Sequence, residues 1–332
     1  MISYIKQRLN SLSEKRKAAL TIVAITPFLT ELLCGNSPPR IFFHPLVFIA
    51  FIIIYGCATL LIREFSVRYN LSKLSIFILG IGYGIYNEGI VAKTLLNRFA
   101  VPLDSFNDYG YTLGINFTWL PVITVWHALH SVLFPILIVH FLFPTVSKTR
   151  WLGKKGVSIL FFLCASIGIL FYAKGETINP AISLAQNTPW HFIAFVATMG
   201  LIAWGVTFLP KTKEGVTTTS WSIKAFFFGL LYLVLFIILL VLSSHRVPLL
   251  VFYSSLVAMI VLYGYVVKAK NWLSPNASLC LILGFYIADA TFNAFSSVLR
   301  GLPDGTIAGV VFDILFVWCL WKIRHKSIQL NE

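Results

Sequence analysis

The sequence predicts an all-α fold, a polytopic membrane helix bundle of about ten transmembrane helices with both termini in the cytoplasm. Hydrophobic residues make up 58% of the 332 residues and charged residues only 11%, against roughly 25% charged residues in soluble domains. A soluble protein this apolar could not cover its own surface, so lipid must form part of its solvent. Apolar stretches of about 20 residues, the length that crosses the hydrocarbon core as a helix, recur along the chain.

The predicted elements follow in order from the N-terminus. Residues 1–17 form an amphipathic basic cytoplasmic helix, because Ile5, Leu9 and Leu12 recur at helical spacing among Lys and Arg residues. Residues 18–323 form a ten-helix transmembrane domain, and residues 324–332 form a cytoplasmic tail. The ten predicted spans are residues 18–35, 46–63, 74–96, 118–143, 155–173, 190–209, 223–242, 247–267, 277–299 and 305–323.

The distribution of Lys and Arg orients these spans. Alternate interhelix segments contain 20 of the 26 basic residues, in the ranges 6–17, 63–73, 148–155, 211–224, 268–270 and 322–326. Short cytoplasmic loops retain Lys and Arg, so these segments are predicted to lie on the cytoplasmic side of the membrane. The predicted location is the cell (plasma) membrane. The net charge of +14 then reflects topology and contact with anionic lipid headgroups. No nucleic-acid partner is predicted, because no basic domain lies outside the spans.

Two further features exclude common kinds of site. The five cysteines are scattered singly and form no CxxC motif, so neither a disulfide framework nor a cysteine-based zinc site is predicted. No metal is predicted elsewhere, and the cofactor is left unknown. The longest loop, 97–117, is either a lid or a surface connector. Its Asn116-Phe117-Thr118 matches the glycosylation pattern, but it lies too close to the bilayer for ready use.

Polar groups inside the spans are the candidate functional residues. An ionisable side chain at mid-bilayer costs about 2.5–3.5 kcal/mol on insertion scales, so each one requires a reason. The predicted topology puts most of them in the outer half of the membrane. From depth alone, six residues are predicted to converge on one outward-facing cavity that binds substrate or protons: Glu31, Glu88, His127, His130, Asp289 and Asn293.

The third span combines glycine with an acid. Gly80, Gly82, Gly84 and Gly89 lie close to Glu88, which indicates either a discontinuous helix lining a cavity or a face that packs closely on a neighbour. Lys93 is expected to extend to the outer surface. At the inner end of the second span, Arg63 and Glu64 are likewise expected to reach the membrane interface and to have no catalytic role.

The fourth and ninth spans hold the remaining candidates. His127 and His130 are three residues apart on one helix face, where they could bind a metal, relay protons or act as a general base; two hydrogen-bonded core histidines are the alternative. In the ninth span, Asp289 and Asn293 belong to a polar stripe that Asp313 of the tenth span could join. That stripe could face a cavity or be a hydrogen-bonded seam between helices.

Part of this pattern resembles the CAAX-protease and PrsW-like membrane protease superfamily. The stretch Asn87–Lys93 is similar to its acidic motif, His127 and His130 to the histidine of the following helix, and Asp289–Asn293 to the last motif. The resemblance implies an intramembrane hydrolase whose catalytic residues are Glu88, His127, His130 and Asn293. Glu88 would activate water, a histidine would assist and Asn293 would stabilise the oxyanion. Asn87 and Asp289 depart from that pattern, since the superfamily has an acid and a histidine there.

Three functions are therefore compatible with the sequence. The first is a transporter or permease of a small or amphiphilic solute, with Glu88 or Asp289 as proton carrier and His127 and His130 as relay. The second is the intramembrane hydrolase, and the third is a non-catalytic membrane assembly partner whose polar seams only pack helices. The predicted partners are the lipid bilayer and a small or lipidic substrate, and the oligomeric state is left open.

Overall fold

The computed structural model describes most of the chain. It covers residues 11–99, 103–178, 185, 188–209, 211, 222–270, 272 and 274–299, and of the remainder residues 307, 310–311, 313–319 and 321–322. The long α-helical segments are Glu14–Pro27, Pro45–Phe51, Ala58–Arg68, Lys73–Ile85, Trp119–His127, Phe134–Leu142, Lys154–Ile178, Pro189–Gly205, Ile223–Ser244, Leu249–Ala269 and Pro275–Leu299. The chain is thus an all-α membrane helix bundle, as the composition predicts.

Seven helices within the described residues are long and apolar enough to cross a membrane: Pro45–Arg68, Lys73–Val91, Trp119–Leu142, Lys154–Thr177, Pro189–Phe208, Ile223–Ser244 and Leu249–Ala269. Each coincides with a predicted span. The first predicted span corresponds to the helix Glu14–Pro27 and the five residues after it, and the ninth to Pro275–Leu299. The tenth falls mostly outside the described residues, so a total of ten, and cytoplasmic termini, stay predictions.

Several spans change from α-helix to π-helix partway along. The π-helical segments are Phe28–Leu32, Ile52–Cys57, Tyr86–Val91 and Ala128–Leu133. In one of them the Ala92 N–H donates to the carbonyl of Asn87, five residues earlier, at 2.7 Å. A π segment holds one extra residue per turn and redirects the side chains that follow it, and such segments are frequent at functional sites.

The chain divides into two compact units. The first comprises residues 1–27, 49–215 and 240–257, and the second comprises residues 28–48, 216–239 and 258–332. In the first unit, the helix Lys73–Ile85, called the glycine helix below, packs directly on the helix Trp119–His127 and its π-helical continuation. A Cβ placed on Gly84 would lie 2.6 Å from Cα of Thr124, and one on Gly80 would lie 2.6 Å from Cα of Ala128. The glycines are thus required for this close approach of the two helices. Of the two alternatives given for the third span, this is the face that packs closely on a neighbour.

The loop 97–117 folds into a small ordered cap in its described part. The strands Tyr111–Thr112 and Ile115–Asn116 form an antiparallel hairpin, and Phe106 is fully buried beneath it. The cap is tied to the chain around residue 247 by a hydrogen bond from the Tyr109 hydroxyl to the Val247 carbonyl at 2.7 Å. Asn116 is fully buried and donates to the Phe106 carbonyl, so the glycosylation pattern is not accessible in the folded protein.

The inner end of the second span differs from expectation. Arg63 and Glu64 do not extend to the interface: both side chains are fully buried and form an ion pair at 2.6 Å. The Arg63 guanidinium lies 3.4 Å from the centre of the Trp151 ring, and Glu64 accepts the Trp151 backbone N–H at 2.9 Å. Arg63 also donates to the Ser147 carbonyl at 2.6 Å. The pair fastens the segment 147–151 to the helix. Hydrogen bonds within the protein replace the water that both charged groups would contact at the interface. Helical periodicity does not reveal these partners.

The second unit is built on another close helix contact. Cβ atoms placed on Gly229 or Gly284 would lie 2.3 Å from the Leu281 carbonyl oxygen or 2.1 Å from the Phe226 carbonyl oxygen, respectively. The helices Ile223–Ser244 and Pro275–Leu299 therefore touch backbone to backbone at this point. The rings of Tyr232 and Phe285 pack beside it with centroids 4.6 Å apart.

Candidate functional site

Glu88 is the centre of a buried polar cluster in the first unit. It lies in the π segment Tyr86–Val91, with 6% of its surface exposed. Its Oε1 lies 2.8 Å from Nε2 of His127 and accepts from Nδ2 of Asn87 at 2.9 Å. Its Oε2 accepts a short hydrogen bond from the hydroxyl of Thr94. Both carboxylate oxygens therefore have protein donors, as an ionised acid removed from water requires.

His127 connects this carboxylate to a hydroxyl on its own helix. Its Nδ1 lies 2.8 Å from Oγ of Ser131, one turn further along. With Nε2–H donating to Glu88, the neutral imidazole accepts the Ser131 hydroxyl proton at Nδ1; a protonated imidazolium donates at both positions. Glu88, His127 and Ser131 thus form a continuous chain of acid, imidazole and hydroxyl in which a proton can be held or passed.

The backbone explains why these side chains meet. Glu88 follows the glycine helix within its π segment, and His127 is the last residue before the π segment Ala128–Leu133. The close contact at Gly84 brings the two helices within reach of each other. A third π segment, Ile52–Cys57, supplies Tyr55, whose ring stacks on the imidazole of His127 with centroids 6.3 Å apart and an angle of 18°. Three π-helical segments of this unit therefore contribute to one cluster.

The cluster extends toward the cap through Thr94. The Thr94 hydroxyl donates to Glu88 and accepts the indole N–H of Trp119 at 3.0 Å. Thr94 can reach back because the preceding residue, Lys93, has the left-handed backbone conformation, with φ of 57°. This turn ends the π segment and folds the chain over the carboxylate.

Lys93 does not extend to the outer surface, as the sequence led us to expect. Its side chain is 1% exposed; its ammonium donates to the Tyr172 carbonyl at 2.7 Å and lies 4.9 Å from the centre of the Tyr172 ring. Burial lowers the pKa of this ammonium, while the charge of Glu176 opposes the shift. Lys93 thus anchors the turn that positions Thr94. Its partner, Tyr172, lies on the helix Lys154–Ile178, and the position of Lys93 in the sequence could not predict this contact.

The predicted histidine pair separates into two environments. His127 faces Glu88, whereas the fully buried His130 stacks on Trp126, with centroids 4.9 Å apart and an angle of 18°, and contacts Phe134 edge-on. The π turn after His127 is the physical reason, because it rotates the following residues away from the regular i, i+3 alignment. Asn87, Thr94 and Ser131 join the site although they were not predicted as site residues. The sequence signals that could have found them are the motif-like stretch that contains Asn87 and the position of Ser131 four residues after His127, one helical turn along the same face.

The other three predicted residues belong to the second unit. Glu31 lies in the π segment Phe28–Leu32 and accepts from the Ser37 hydroxyl at 2.5 Å. Asp289 accepts from the thiol of Cys34 at 3.6 Å. Asn293 lies in the helix Pro275–Leu299, but its side chain is outside the described part of the chain. A single cavity shared by all six predicted residues stays a prediction.

The contact between Glu88 and His127 joins a buried carboxylate to an imidazole. An acid and an imidazole in contact can exist as an ion pair or, after a proton shift, as two neutral groups. The two groups offer a metal two ligand atoms that already bond to each other, whereas a catalytic zinc site uses three protein ligands. The arrangement fits a proton-binding pair better than a metal centre.

The apolar helices and their buried polar cluster define a multi-pass integral membrane protein. Comparison with known proteins agrees: a family model described as "Uncharacterized membrane protein family" matches residues 20–317. Because the match covers most of the chain, the protein belongs to this family. No curated protein and no solved structure matches the chain.

Proposed function

We propose that this protein is a proton-coupled transporter of a small or amphiphilic solute, and that Glu88 and His127 bind the coupling proton. The contact of 2.8 Å between the carboxylate and the imidazole, made inside two adjacent spans, carries this proposal. A helix contact that only packs could use small or uncharged residues at far lower insertion cost. A buried pair that exchanges a proton requires both ionisable groups.

The surroundings of the pair support transport over hydrolysis. A carboxylate that activates water needs a lone pair directed at that water, whereas Asn87, His127 and Thr94 already engage three of the roughly four lone-pair sites that a carboxylate has. Three π-helical segments around the pair supply backbone that can return to α-helix, which would rotate the side chains beyond it and separate Glu88 from His127. That separation would couple proton binding to a change in helix packing. We further propose a plasma-membrane location with cytoplasmic termini, which the Lys and Arg distribution supports.

The experiment is solute-dependent proton movement in proteoliposomes. The purified protein is reconstituted with a pH-sensitive dye inside the vesicles, a pH gradient is imposed, and a panel of small polar and amphiphilic solutes is added outside. We expect one chemical class to cause proton entry. Glu88→Gln, which preserves the shape of the side chain, should abolish that entry, and Asp104→Asn in the exposed cap should not. Proton entry that is unchanged in Glu88→Gln would refute the proposal, as would a complete lack of response to the panel.

An intramembrane hydrolase is the second candidate, and one observation favours it. Ser131, His127 and Glu88 are linked in the order hydroxyl, imidazole and carboxylate, each link 2.8 Å long, which is the order of groups in serine hydrolases. A fluorophosphonate probe distinguishes the candidates, because it labels an activated serine. Labelling that disappears in Ser131→Ala would establish the hydrolase and refute proton coupling as the role of the pair; the transporter proposal expects no labelling.

A further inference from the structure

The tip of the cap hairpin holds a leucine in a backbone conformation that disfavours it. Leu113 and Gly114 connect the strands Tyr111–Thr112 and Ile115–Asn116, with φ of 50° and 77°. Positive φ at both central residues marks the type I′ turn, which favours asparagine or aspartate followed by glycine. A leucine there brings its Cβ close to its own backbone, and its side chain is also 84% exposed. In water, asparagine would suit this position better on both counts.

A neighbouring helix of the same unit sets the depth of this tip in the membrane. Nε2 of His191 donates to the Leu113 carbonyl at 3.2 Å, and a Cβ placed on Gly114 would lie 2.7 Å from Cε1 of His191. The span that contains His191, Pro189–Phe208, has 20 residues. A helix of this length is about 30 Å long, which is the thickness of the hydrocarbon core. Because the span has no length to spare, its first turn lies at the edge of the core, and so does Leu113.

The surroundings of the tip are apolar and uncharged. Trp190, beside His191, is 77% exposed, and Ile193 of the same turn is 54% exposed. Tryptophan is enriched at the boundary between membrane and water. Residues 109–126, which contain the hairpin, include no Asp, Glu, Lys or Arg. Aliphatic and aromatic side chains without charge are the kind that enter the boundary between headgroups and acyl chains.

We propose that Leu113, Trp190 and Ile193 form an anchor that inserts the tip of the cap into the headgroup and acyl boundary of the surrounding lipid leaflet. Lipid gives the leucine side chain an apolar environment, and this contact offsets the unfavourable conformation of its turn. The depth of the tip, at the edge of the hydrocarbon core, favours lipid over a second copy of the chain as the occupant. The inference goes beyond the proposed function and holds whether or not Glu88 and His127 bind a proton.

The anchor is connected to the buried polar cluster through one strand. Oδ1 of Asn116 accepts the Trp119 backbone N–H at 3.0 Å. The Trp119 indole donates to the hydroxyl of Thr94, which in turn donates to Glu88. A tip held in lipid therefore keeps the hairpin against the start of the helix Trp119–His127, from which these donors reach the carboxylate.

Spin labelling of the full-length protein in lipid vesicles tests the proposal. Cys319 is the exposed cysteine and the other four are buried, so Cys319→Ser with Thr112→Cys attaches one nitroxide to an exposed residue beside an intact Leu113. The label collides with oxygen, which concentrates in lipid, or with a nickel complex confined to water. We expect the logarithm of the ratio of oxygen to nickel collisions to be positive at residue 112. A label attached through Asp104→Cys, elsewhere on the surface of the cap, should give a negative value.

Leu113→Asn is the matched variant, because asparagine suits the turn but not lipid. The value at residue 112 should then change sign. A negative value with Leu113 intact overturns the proposal, and this measurement does not depend on whether the variant folds. Protection from both reagents also overturns it, in favour of a second protein chain over the tip, as does a value that Leu113→Asn leaves unchanged. Failure of Glu88→Gln to alter proton movement bears on the proposed function alone, since these labels report only the depth of the cap.

Discussion

The glycine helix offers the sharpest test of the packing that brings Glu88 to His127. A methyl group at Gly84 would lie 2.6 Å from Cα of Thr124, whereas ordinary contact begins at 3.4 Å. Gly84→Ala must therefore move the two helices apart by about 0.8 Å, the difference between these distances. The obstacle is backbone, which cannot rotate aside as a flexible side chain would.

The expected consequence is a loss of about 1–3 kcal/mol of unfolding free energy, the usual effect of overpacking. The same displacement would lengthen the contact between Glu88 and His127, which is 2.8 Å in the native protein, beyond hydrogen-bonding distance. Gly84→Ala should thus impair both stability and any proton binding by the pair. Unfolding is measured by titrating denaturing detergent into dodecyl maltoside micelles and following helical circular dichroism.

Gly200→Ala is the matched control. Gly200 lies in the helix Pro189–Gly205 of the same unit, and a Cβ there would have no atom within 4 Å. This substitution should leave the protein as stable as the wild type or stabilise it by about 0.5–1 kcal/mol, since alanine favours the helix. Equal stabilities for Gly84→Ala and Gly200→Ala would refute the proposed close approach.

The other predictions concern the inner ion pair, the site, the cap and the buried lysine. Arg63→Met should cost about 3–5 kcal/mol of unfolding free energy, because it leaves a buried carboxylate unpaired, and adding Glu64→Gln should recover part of that loss; the same detergent titration measures both. Thr94→Val should destabilise by about 1–3 kcal/mol through the lost donor to the buried carboxylate, and a fully wild-type unfolding curve would contradict the role given to this hydroxyl. Asn116 should carry no glycan when the protein is made in glycosylating cells, so a glycosidase should not change its mobility on a gel. The lowered pKa of Lys93 means that this side chain binds more protons in the unfolded state just below pH 10.5, so Lys93 contributes a rise of unfolding free energy with pH in that range; the slope of unfolding free energy against pH should therefore be lower in Lys93→Met than in the wild type.

Helical periodicity and composition were sufficient for much of the fold. Stretches of about 20 apolar residues can satisfy their backbone hydrogen bonds in lipid only as helices, and every helix long enough to span the membrane in the described residues coincides with a predicted span. Glu88 and His127 could be singled out for a similar reason, because an ionisable group in an apolar span has a high insertion cost. Their mutual contact was one of several arrangements compatible with the sequence.

The sequence could not predict which side chains on different helices contact each other. Lys93 was expected to extend to the outer surface, because its position on the helix does not make it an obvious partner of Glu88, but the carbonyl and ring of Tyr172 bind it. Arg63 was expected to behave as an interface residue, but the ring of Trp151 and the carbonyl of Ser147 enclose it. Such partners lie on other helices, and helix order in a bundle leaves no periodic trace in any one of them.

By itself, the sequence determined that this protein is a membrane helix bundle with ionisable groups in its spans, because hydrophobicity and charge act locally along the chain. Only the tertiary structure decided which of those groups meet. The regular i, i+3 spacing of His127 and His130 suggested that they act together, yet a π-helical turn directs His127 to Glu88 and His130 to Trp126. A π turn is a rare single-turn insertion in an α-helix that the hydrophobic periodicity of the sequence did not mark. The sequence therefore identified the ionisable groups, and only the packed helices showed which of them pair.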